Sequence, residues 1–325
     1  MEDSKNKKIR YSVIAPVFNE IEGLQEFYTV LSTVMNTLNE PWELLLVDDG
    51  SQDGSRELIW QLAEQDRHIV PLIFSRNFGH QIAVTAGMDH ASGEAIIIID
   101  SDLQDPPQII PALISKWKDG YEVVYAVRRE REGETWFKRT TAALFYRMID
   151  RITDVRMPLD TGDFRLIDRS VLQTLNSMRE KQRFLRGMSA WVGFNQVGVP
   201  YDRKSRFAGK SKYPFKKMLK LAMNAVTGFS SLPLQLSEYT GLFLLFSSLA
   251  YGIIWIIFTV AGRSFLPGQA LTILILLLVG AAICLFLGVI GEYISRIYEE
   301  AKARPLYILR ENPKTSHSRS RNDKN

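Results

Sequence analysis

Pairs of acidic side chains follow apolar runs at two places in this chain. Asp100 and Asp102 come directly after the isoleucine run at 96–99. Two carboxylates fixed at the end of a buried strand repel one another unless a cation neutralises them. Oxygen ligands select a hard divalent ion, so we predict a Mg²⁺ or Mn²⁺ site here. Such an ion would bridge to diphosphate oxygens and stabilise a departing nucleoside diphosphate as a Lewis acid.

The second acidic pair is Asp48 and Asp49, after the apolar run at 43–47. A carboxylate at a strand end can accept a hydrogen bond from a nucleobase or a ribose hydroxyl. The residues that follow, Ser51, Asp53 and Gly54, are explained equally well by a plain turn that caps the next helix.

The elements that position these residues alternate along the first hundred residues. Apolar runs at 11–15, 43–47, 69–74 and 95–99 are separated by segments of helical period near 21–38, 54–65 and 81–90. This βαβ alternation predicts a mostly parallel, doubly wound sheet with ligand sites at the carboxyl ends of its strands. A fifth strand is predicted at 123–127.

Two uncharged stretches, 239–260 and 271–290, are each long enough to cross a hydrocarbon core of ~30 Å. The short loop between them carries Gly262, Pro267 and Gly268, so we predict a transmembrane helical hairpin. The alternative is a pair of buried helices in a soluble protein, and the length of both runs argues against it. Lysine and arginine are abundant before the first stretch, whereas the loop carries only Arg263, which predicts cytoplasmic termini.

The remaining sequence features concern the surroundings of that hairpin. The first ten residues lack the apolar core of a signal peptide, so we expect the N-terminal domain in the cytoplasm. The segment 211–235 is amphipathic and basic, which suits a helix at the membrane interface. Net charge is only +4 and lies beside the predicted membrane and in the tail, which indicates anionic lipids or phosphates and not nucleic acid. The single cysteine, Cys284, excludes a disulfide framework and a cysteine metal site.

Six motifs follow one another along the chain: PVFNE at 16–20, VDDGSQDGS at 47–55, SRNFGHQ at 75–81, DSDLQDPP at 100–107, TGDFRLIDR at 161–169 and RFAGKSKY at 206–213. With these motifs the chain resembles the family 2 glycosyltransferases. It resembles in particular the polyprenyl-phosphate branch, which includes dolichyl-phosphate mannose synthases and bactoprenol glucosyltransferases. The resemblance implies a Rossmann-like GT-A domain with a mostly parallel sheet, interfacial helices and the C-terminal two-helix hairpin.

The resemblance also implies roles for individual residues. The nucleotide-sugar would be held by Pro16, Asn19, Glu20, Asp48, Asp49, Arg76 and Asp100, and the metal by Asp100, Asp102 and Gln104. Water could replace Gln104 as a metal ligand. The phosphate of the acceptor lipid would be bound by Arg128, Arg139, Arg206, Lys210 and Ser211.

The implied reaction is an inverting, single displacement at C1 of the sugar by a polyprenyl phosphate oxygen. A phosphate monoester has a second pKa near 6, so this nucleophile needs no powerful base at neutral pH. Asp160 is our candidate for the catalytic or orienting carboxylate and Asp163 for a sugar hydroxyl binder, and the reverse assignment stays open. UDP-glucose is the first choice of donor, ahead of GDP-mannose and a UDP-aminoarabinose-type sugar.

The sequence argues against two other functions. A processive polysaccharide synthase usually has more spans and a Gln-x-x-Arg-Trp element, which residues 182–186 do not reproduce. A non-catalytic membrane scaffold would not need the acidic pairs.

The predicted organisation is a cytoplasmic GT-A domain at 1–210, an interfacial segment at 211–235, two spans within 236–294 and a cytoplasmic basic tail at 295–325 of a bacterial inner membrane protein. Small residues at 280–282 leave a homo-oligomer open.

Overall fold

The globular part of the protein is built on one eight-stranded sheet. The computed structural model describes residues 8–128, 161–202, 232–262 and 269–311. Within them the strand order is β7-β5-β6-β4-β1-β2-β3-β8. The strands are β1 (Tyr11–Val17), β2 (Trp42–Asp48), β3 (Ile69–Phe74), β4 (Ala95–Ile98), β5 (Val123–Arg128), β6 (Thr161–Asp168), β7 (Gln196–Tyr201) and β8 (Leu309–Glu311).

The helices of the described residues follow the same order along the chain. A short 3₁₀ turn, Pro107–Ile109, precedes α4. The helices are α1 (Ile21–Thr37), α2 (Ser55–Gln65), α3 (His80–His90), α4 (Ile110–Lys118), α5 (Arg169–Ser177), α6 (Leu185–Trp191), α7 (Leu232–Val260) and α8 (Gln269–Ala301).

The centre of the sheet is the parallel block β4-β1-β2-β3, as the sequence predicts. Strands β2 and β3 lie on one side of β1, whereas β4 lies on the other, so the strand order reverses beside β1. The residues that follow β1 and β4 therefore open a crevice at the carboxyl edge, where open α/β sheets bind ligands. The hydroxyl of Ser101, after β4, donates to the carbonyl of Pro16 in β1 at 2.8 Å and ties the two strand ends together.

Apolar spacing explains why the helices pack on this block. Helix α1 buries Leu24, Phe27, Leu31 and Met35, which lie three or four residues apart and so share one face. Each such side chain stabilises the fold by about 1.5–3 kcal/mol. Helix α3 approaches β1 so closely that a Cβ on Gly87 would lie 2.3 Å from the Ile14 side chain.

The outer strands depart from the simple alternation. Strand β6 runs antiparallel to both β4 and β5, and β8 runs antiparallel to β3. The expected fifth strand is present as β5, parallel to β7. Strand β8 is not predicted by the sequence and lies within the segment 295–325, which we expected to be a basic tail.

The described residues divide into two compact units. The globular unit includes residues 305–311, which come after both long helices in the chain. The second unit contains α7 and α8, which contact one another. Their apolar stretches, Tyr239–Phe258 and Val279–Ala301, are long and apolar enough to cross a membrane by length and composition. Apolar side chains on both helices are exposed, for example Phe243 (69%) and Leu285 (71%).

Candidate active site

The turns after β1 and β2 are cross-linked by hydrogen bonds. Asn19 has a positive φ of 53°, and its N–H donates to the Ser51 hydroxyl at 3.0 Å. The N–H of Gln52 in turn donates to Oδ1 of Asn19 at 2.9 Å. Asparagine tolerates the left-handed conformation better than most residues, which explains its place here. Next to it, the N–H of Glu20, the residue before α1, donates to the Ser55 hydroxyl at 3.1 Å.

Both predicted nucleotide carboxylates after β2 accept hydrogen bonds within the protein. Asp48 is buried and accepts from the N–H of Ser51 at 2.9 Å and from Nε of Arg56 at 3.3 Å. Asp49 accepts from Nδ2 of Asn77 at 2.8 Å and from the N–H groups of Phe78 and Gly79. Burial raises the pKa of Asp49, although these two backbone hydrogen bonds act in the opposite direction. Direct binding of a nucleotide by either carboxylate stays a prediction.

The loop at residues 75–79, which follows β3, forms one wall of a cleft. The cleft has a volume of about 430 Å³. Arg76 lies on this wall with its guanidinium 4.1 Å above the ring of Phe78. A volume of this order is typical of small-ligand sites. The lining residues are Phe18, Asn19, Gly50, Ser51, Gln52, Arg56, Ser75, Arg76 and Asn77.

Gly50 is required where this loop meets the β2 turn. Its φ is +75°, and a Cβ there would lie 2.6 Å from the backbone N of Asn77 and 2.7 Å from the carbonyl carbon of Arg76. Backbone atoms of both segments would have to move apart to admit any side chain. The close approach brings the 75–79 loop within reach of Asp49.

A cluster of charged groups surrounds His80, the first residue of α3. Its Nε2 lies 3.2 Å from Oδ2 of Asp163 and 3.6 Å from Oδ1 of Asp100. Burial lowers the pKa of His80, but the hydrogen bond to Asp163 and the charge of Asp100 outweigh it and raise the pKa to about 9. At neutral pH the imidazole is therefore a cation between two carboxylates.

Asp163, in β6, has donors on both of its oxygens. Nε of Arg186 lies 2.7 Å from Oδ1, while Nε2 of Gln81 and the His80 ring lie 3.2 Å from Oδ2. Burial opposes its charge, yet Arg186 and His80 hold the pKa of Asp163 well below its ordinary value. This carboxylate is ionised at neutral pH and occupied by protein donors.

Asp100 is in the opposite situation. Burial, and to a smaller extent the charges of Asp163, Asp105 and Asp102, raise its pKa to about 6, although His80 acts against them. Its Oδ1 is buried and accepts no hydrogen bond. A buried carboxylate oxygen that accepts no hydrogen bond is suited to binding a cation. Asp102 supplies a second carboxylate two residues later.

The described residues suit a metal that takes few protein ligands. Among them, no three histidine, cysteine or acidic side chains are grouped as a metal cage. Mg²⁺ and similar ions are often held by one or two carboxylates together with substrate phosphates, which matches the pair Asp100 and Asp102. Oδ1 of Asp102 accepts from the backbone N–H of Gln104 at 3.1 Å. Ligation by the Gln104 side chain stays a prediction.

The predicted acceptor residues are described only in part. Arg128 ends β5, and its Nε donates to the hydroxyl of Tyr201 at 3.2 Å. The same hydroxyl donates to the buried Asp105, which lies 3.9 Å from the Arg128 guanidinium. These contacts hold the arginine in one orientation. The other predicted residues, Asp160, Arg139, Arg206, Lys210 and Ser211, lie outside the described residues.

Sequence reasoning missed His80, Gln81 and Arg186. The first two belong to the SRNFGHQ motif at 75–81, but their residue types alone predict no role. Arg186 lies in the segment 182–186, which only argues against the element of a polysaccharide synthase. The signal available was position, because His80 follows the loop after β3 at the same edge of the sheet as Asp100.

The sheet order, the acidic strand ends and the cleft together define a GT-A-like α/β protein. A model of Glycosyl transferase family 2 matches residues 12–175, and the chain belongs to this family. The predicted family resemblance is thereby confirmed, and the chain is a glycosyltransferase.

Two relatives agree with this assignment. The chain is 50% identical to an uncharacterized glycosyltransferase, YkcC, of Bacillus subtilis, over 94% of each chain. It is 39% identical to the bactoprenol glucosyl transferase of Shigella phage SfV, over 93% of this chain and 98% of the relative. A solved mannosyltransferase from Pyrobaculum calidifontis, PcManGT in complex with GDP-Man and Mn²⁺, matches with a TM-score of 0.46 and 18% identity, covering 91% of this chain and 86% of that one.

Proposed function

We propose that this protein transfers one sugar, with glucose from UDP-glucose as the first choice, to a polyprenyl phosphate at the cytoplasmic face of a membrane. The observation that carries the proposal is the extent of the match to the phage bactoprenol glucosyl transferase. It includes nearly the whole of both chains and so extends beyond the sugar-transferring domain into the long apolar helices. A relative sharing the catalytic domain alone would not support a lipid acceptor.

The donor is proposed to bind along the carboxyl edge of β1, β2 and β4. The nucleoside would occupy the cleft beside the 75–79 loop, and the diphosphate would extend towards Asp100. Asp100 and Asp102 would hold a Mg²⁺ or Mn²⁺ ion. When bound, such an ion neutralises the charge that develops on the leaving diphosphate.

The acceptor phosphate requires positioning more than activation. Its monoester oxygen is mostly ionised at neutral pH because the second pKa is near 6. Bringing this anion to C1 of the sugar requires cations that offset repulsion by the diphosphate. Arg128, with Arg139, Arg206, Lys210 and Ser211, is proposed to supply them.

The protonation state of Asp163 supports a binding role, and not a catalytic one, for this residue. A carboxylate with a pKa far below neutrality and donors on both oxygens is a poor proton acceptor. We therefore assign Asp163 to holding His80 and Arg186 beside the sugar, and keep Asp160 as the candidate for the orienting or catalytic carboxylate.

The proposed location is the bacterial inner membrane, with α7 and α8 as the two spans. Exposed apolar side chains on both helices support burial in lipid, because large apolar surfaces are rarely left in water. A polyprenyl phosphate is anchored in such a membrane by its own chain, so acceptor and enzyme would meet at its surface.

The proposal is tested by transfer assays with detergent-solubilised protein and undecaprenyl phosphate. Radiolabelled UDP-glucose, GDP-mannose and a UDP-aminoarabinose-type sugar would be compared, each with Mn²⁺, with Mg²⁺ and with EDTA. We expect metal-dependent labelling of the lipid from UDP-glucose. Asp102→Asn should lose it, whereas Asp119→Asn, at an exposed residue paired with Lys116, should match the parent. Sugar release to water with no lipid product would contradict the acceptor, and full activity in EDTA would contradict the metal.

A further inference from the structure

The chain returns to the globular unit after its last helix. Helix α8 ends at Ala301, and residues 305–311 then pack on the edge of the sheet. Strand β8 pairs with β3, with Phe74 opposite Leu309. The N–H of Ser75, the first residue of the 75–79 loop, donates to the carbonyl of Ile308 at 3.0 Å. The segment therefore contacts the loop at the point where the loop leaves β3.

Tyr307 fixes this segment to two places in the globular unit. Its ring stacks on Phe74, with centroids 5.3 Å apart and an interplanar angle of 17°. Its hydroxyl donates to Oδ2 of Asp89 in α3 at 3.0 Å. Asp89 also accepts from both terminal nitrogens of Arg179, at 2.7 and 3.2 Å. The tyrosine thus bridges β3 and α3, the two elements joined by the 75–79 loop.

The loop is held from its other side by the β2 turn. Phe78 meets Phe74 edge to face, with centroids 5.4 Å apart, so the ring that Tyr307 stacks on also supports the loop. The N–H groups of Phe78 and Gly79 donate to Asp49. Between these two supports the loop presents Ser75, Arg76 and Asn77 to the cleft.

We propose that Tyr307 and the 305–311 segment are positioning elements of the donor pocket. They fix the 75–79 loop in the conformation that lines the cleft, without touching the ligand themselves. The inference rests on the proposed function insofar as the cleft holds the nucleotide. It assigns to the end of the chain a role in donor binding, and none in binding the lipid phosphate.

The first test measures how readily the 75–79 loop opens. Amide hydrogen exchange at Phe78 and Gly79 would be compared in the parent, Tyr307→Ala, Tyr307→Phe and Asp119→Asn. Loss of the stack and the hydrogen bond should speed exchange in Tyr307→Ala by about tenfold. Tyr307→Phe keeps the stack and should show a smaller increase, about threefold. Asp119 follows α4, is exposed and pairs with Lys116, so Asp119→Asn should match the parent.

The second test measures ligand binding with UDP as the probe, in the presence of Mn²⁺. Tyr307→Ala should weaken UDP binding by about tenfold and leave KM for undecaprenyl phosphate within about twofold. A merely structural loss would change both. Unchanged exchange and unchanged UDP affinity in Tyr307→Ala would overturn the proposal, as would a KM effect confined to the lipid.

Two further outcomes are also decisive. If Tyr307→Ala does not fold, Tyr307→Phe decides the proposal: faster loop exchange at an unchanged melting temperature supports it, and parental exchange overturns it. If the parent binds no UDP, the proposed uridine donor fails. The exchange comparison then decides alone whether the segment holds the loop.

Discussion

Two carboxylates of the site contact the same histidine and yet have opposite electrostatic environments. Asp163 is surrounded by donors, which hold its pKa well below the ordinary value, whereas burial raises the pKa of Asp100 to about 6. The protein stabilises the Asp163 anion, whereas burial destabilises the Asp100 anion more than His80 stabilises it. Groups whose pKa values are pushed apart in this way are typical of sites that divide binding from chemistry.

Replacing Asp100 should therefore stabilise the protein while it removes function. Because the folded pKa is raised, the folded chain keeps a proton between pH 3.8 and about 6 that the unfolded chain has released, and stability is lost as pH rises through this window. At about pH 7.5 the penalty is on the order of 2 kcal/mol, discounted for partial exposure. We expect Asp100→Asn to melt at a higher temperature than the parent in EDTA and to transfer no sugar. A lower melting temperature at this pH would contradict the raised pKa.

Asp163→Asn should have the opposite effect on stability. The depressed pKa of Asp163 means that its contribution is present above the unfolded pKa of 3.8 and is lost as pH falls through the folded value. Removing one partner of a buried ion pair typically costs about 3 kcal/mol. Thermal unfolding at about pH 7.5 measures it, with Asp119→Asn as the exposed control. Equal melting temperatures for Asp163→Asn and the parent would show that Arg186 and His80 do not depend on this anion.

The sequence was informative about residues whose chemistry is unusual at their position. Paired aspartates at a strand end cost free energy, so the sequence alone makes Asp100 and Asp102 candidate metal ligands, and this role stays a prediction. His80, Gln81 and Arg186 were not recognisable in this way, because one histidine, one glutamine and one arginine are individually ordinary. They matter because all three contact Asp163, from the two helices α3 and α6. No local sequence pattern encodes that contact.

At the scale of elements, the site depends on turns that are packed against one another. The β1 and β2 turns share hydrogen bonds through Asn19 and Ser51, and Gly50 allows the 75–79 loop to approach the β2 turn. Because contacts within the protein hold this cleft wall, little conformational entropy should be lost there on binding.

Gly50→Ala should disrupt this arrangement. The substitution places a Cβ against backbone atoms and forces alanine into a left-handed conformation, which together should cost about 2 kcal/mol or more. UDP affinity should fall at the same time, because the loop must move away from the β2 turn. Chemical denaturation and calorimetric titration with UDP would measure the two effects.

Gly23→Ala is the matched control for that experiment. Gly23 lies in α1, and a Cβ there has no neighbouring atom within 4 Å. Alanine should stabilise this helix by about 0.5–1 kcal/mol and leave UDP affinity unchanged. If both substitutions change stability and UDP affinity alike, the close approach of the backbone at Gly50 does not exclude a side chain there.

The parallel block was predictable because short apolar runs alternate with segments that suit helices, among which α1 is clearly amphipathic. Observed strands and helices begin and end within a few residues of the expected positions, as α1 and β3 illustrate. Strand β8 was not predictable. Three residues at the edge of a sheet, paired on one side only, need little hydrophobic signal of their own, and their partner β3 lies more than two hundred residues earlier.

At the scale of the whole molecule, the sheet constrains membrane topology. The first strand and the last belong to one sheet in the globular unit, although α7 and α8 lie between them in the chain. Any membrane crossed by these helices must therefore be crossed an even number of times. Two crossings satisfy this requirement and agree with the basic residues that precede the first apolar stretch.

Protease accessibility checks this arrangement. Tags at the N-terminus and C-terminus should both be cleaved from the cytoplasmic side, and a tag inserted near Pro267 only from the opposite side. An inserted tag in the globular unit, at the exposed Asp119 turn, provides the cytoplasmic control. Labelling of the two termini on opposite sides would be incompatible with β8 lying in the same sheet as β1.

The position of β8 also sets an order of events during synthesis. The ribosome makes β1 to β7 first, then both apolar helices, and only then the edge strand with Tyr307. The 75–79 loop consequently lacks one of its two supports until the helices have left the ribosome. A nascent chain that has not yet delivered its helices to lipid should bind nucleotide poorly, so sugar transfer would begin only after membrane delivery. Ribosome-stalled chains ending at residue 304 should accordingly bind UDP more weakly than released, full-length protein, and equal affinity would argue against such timing.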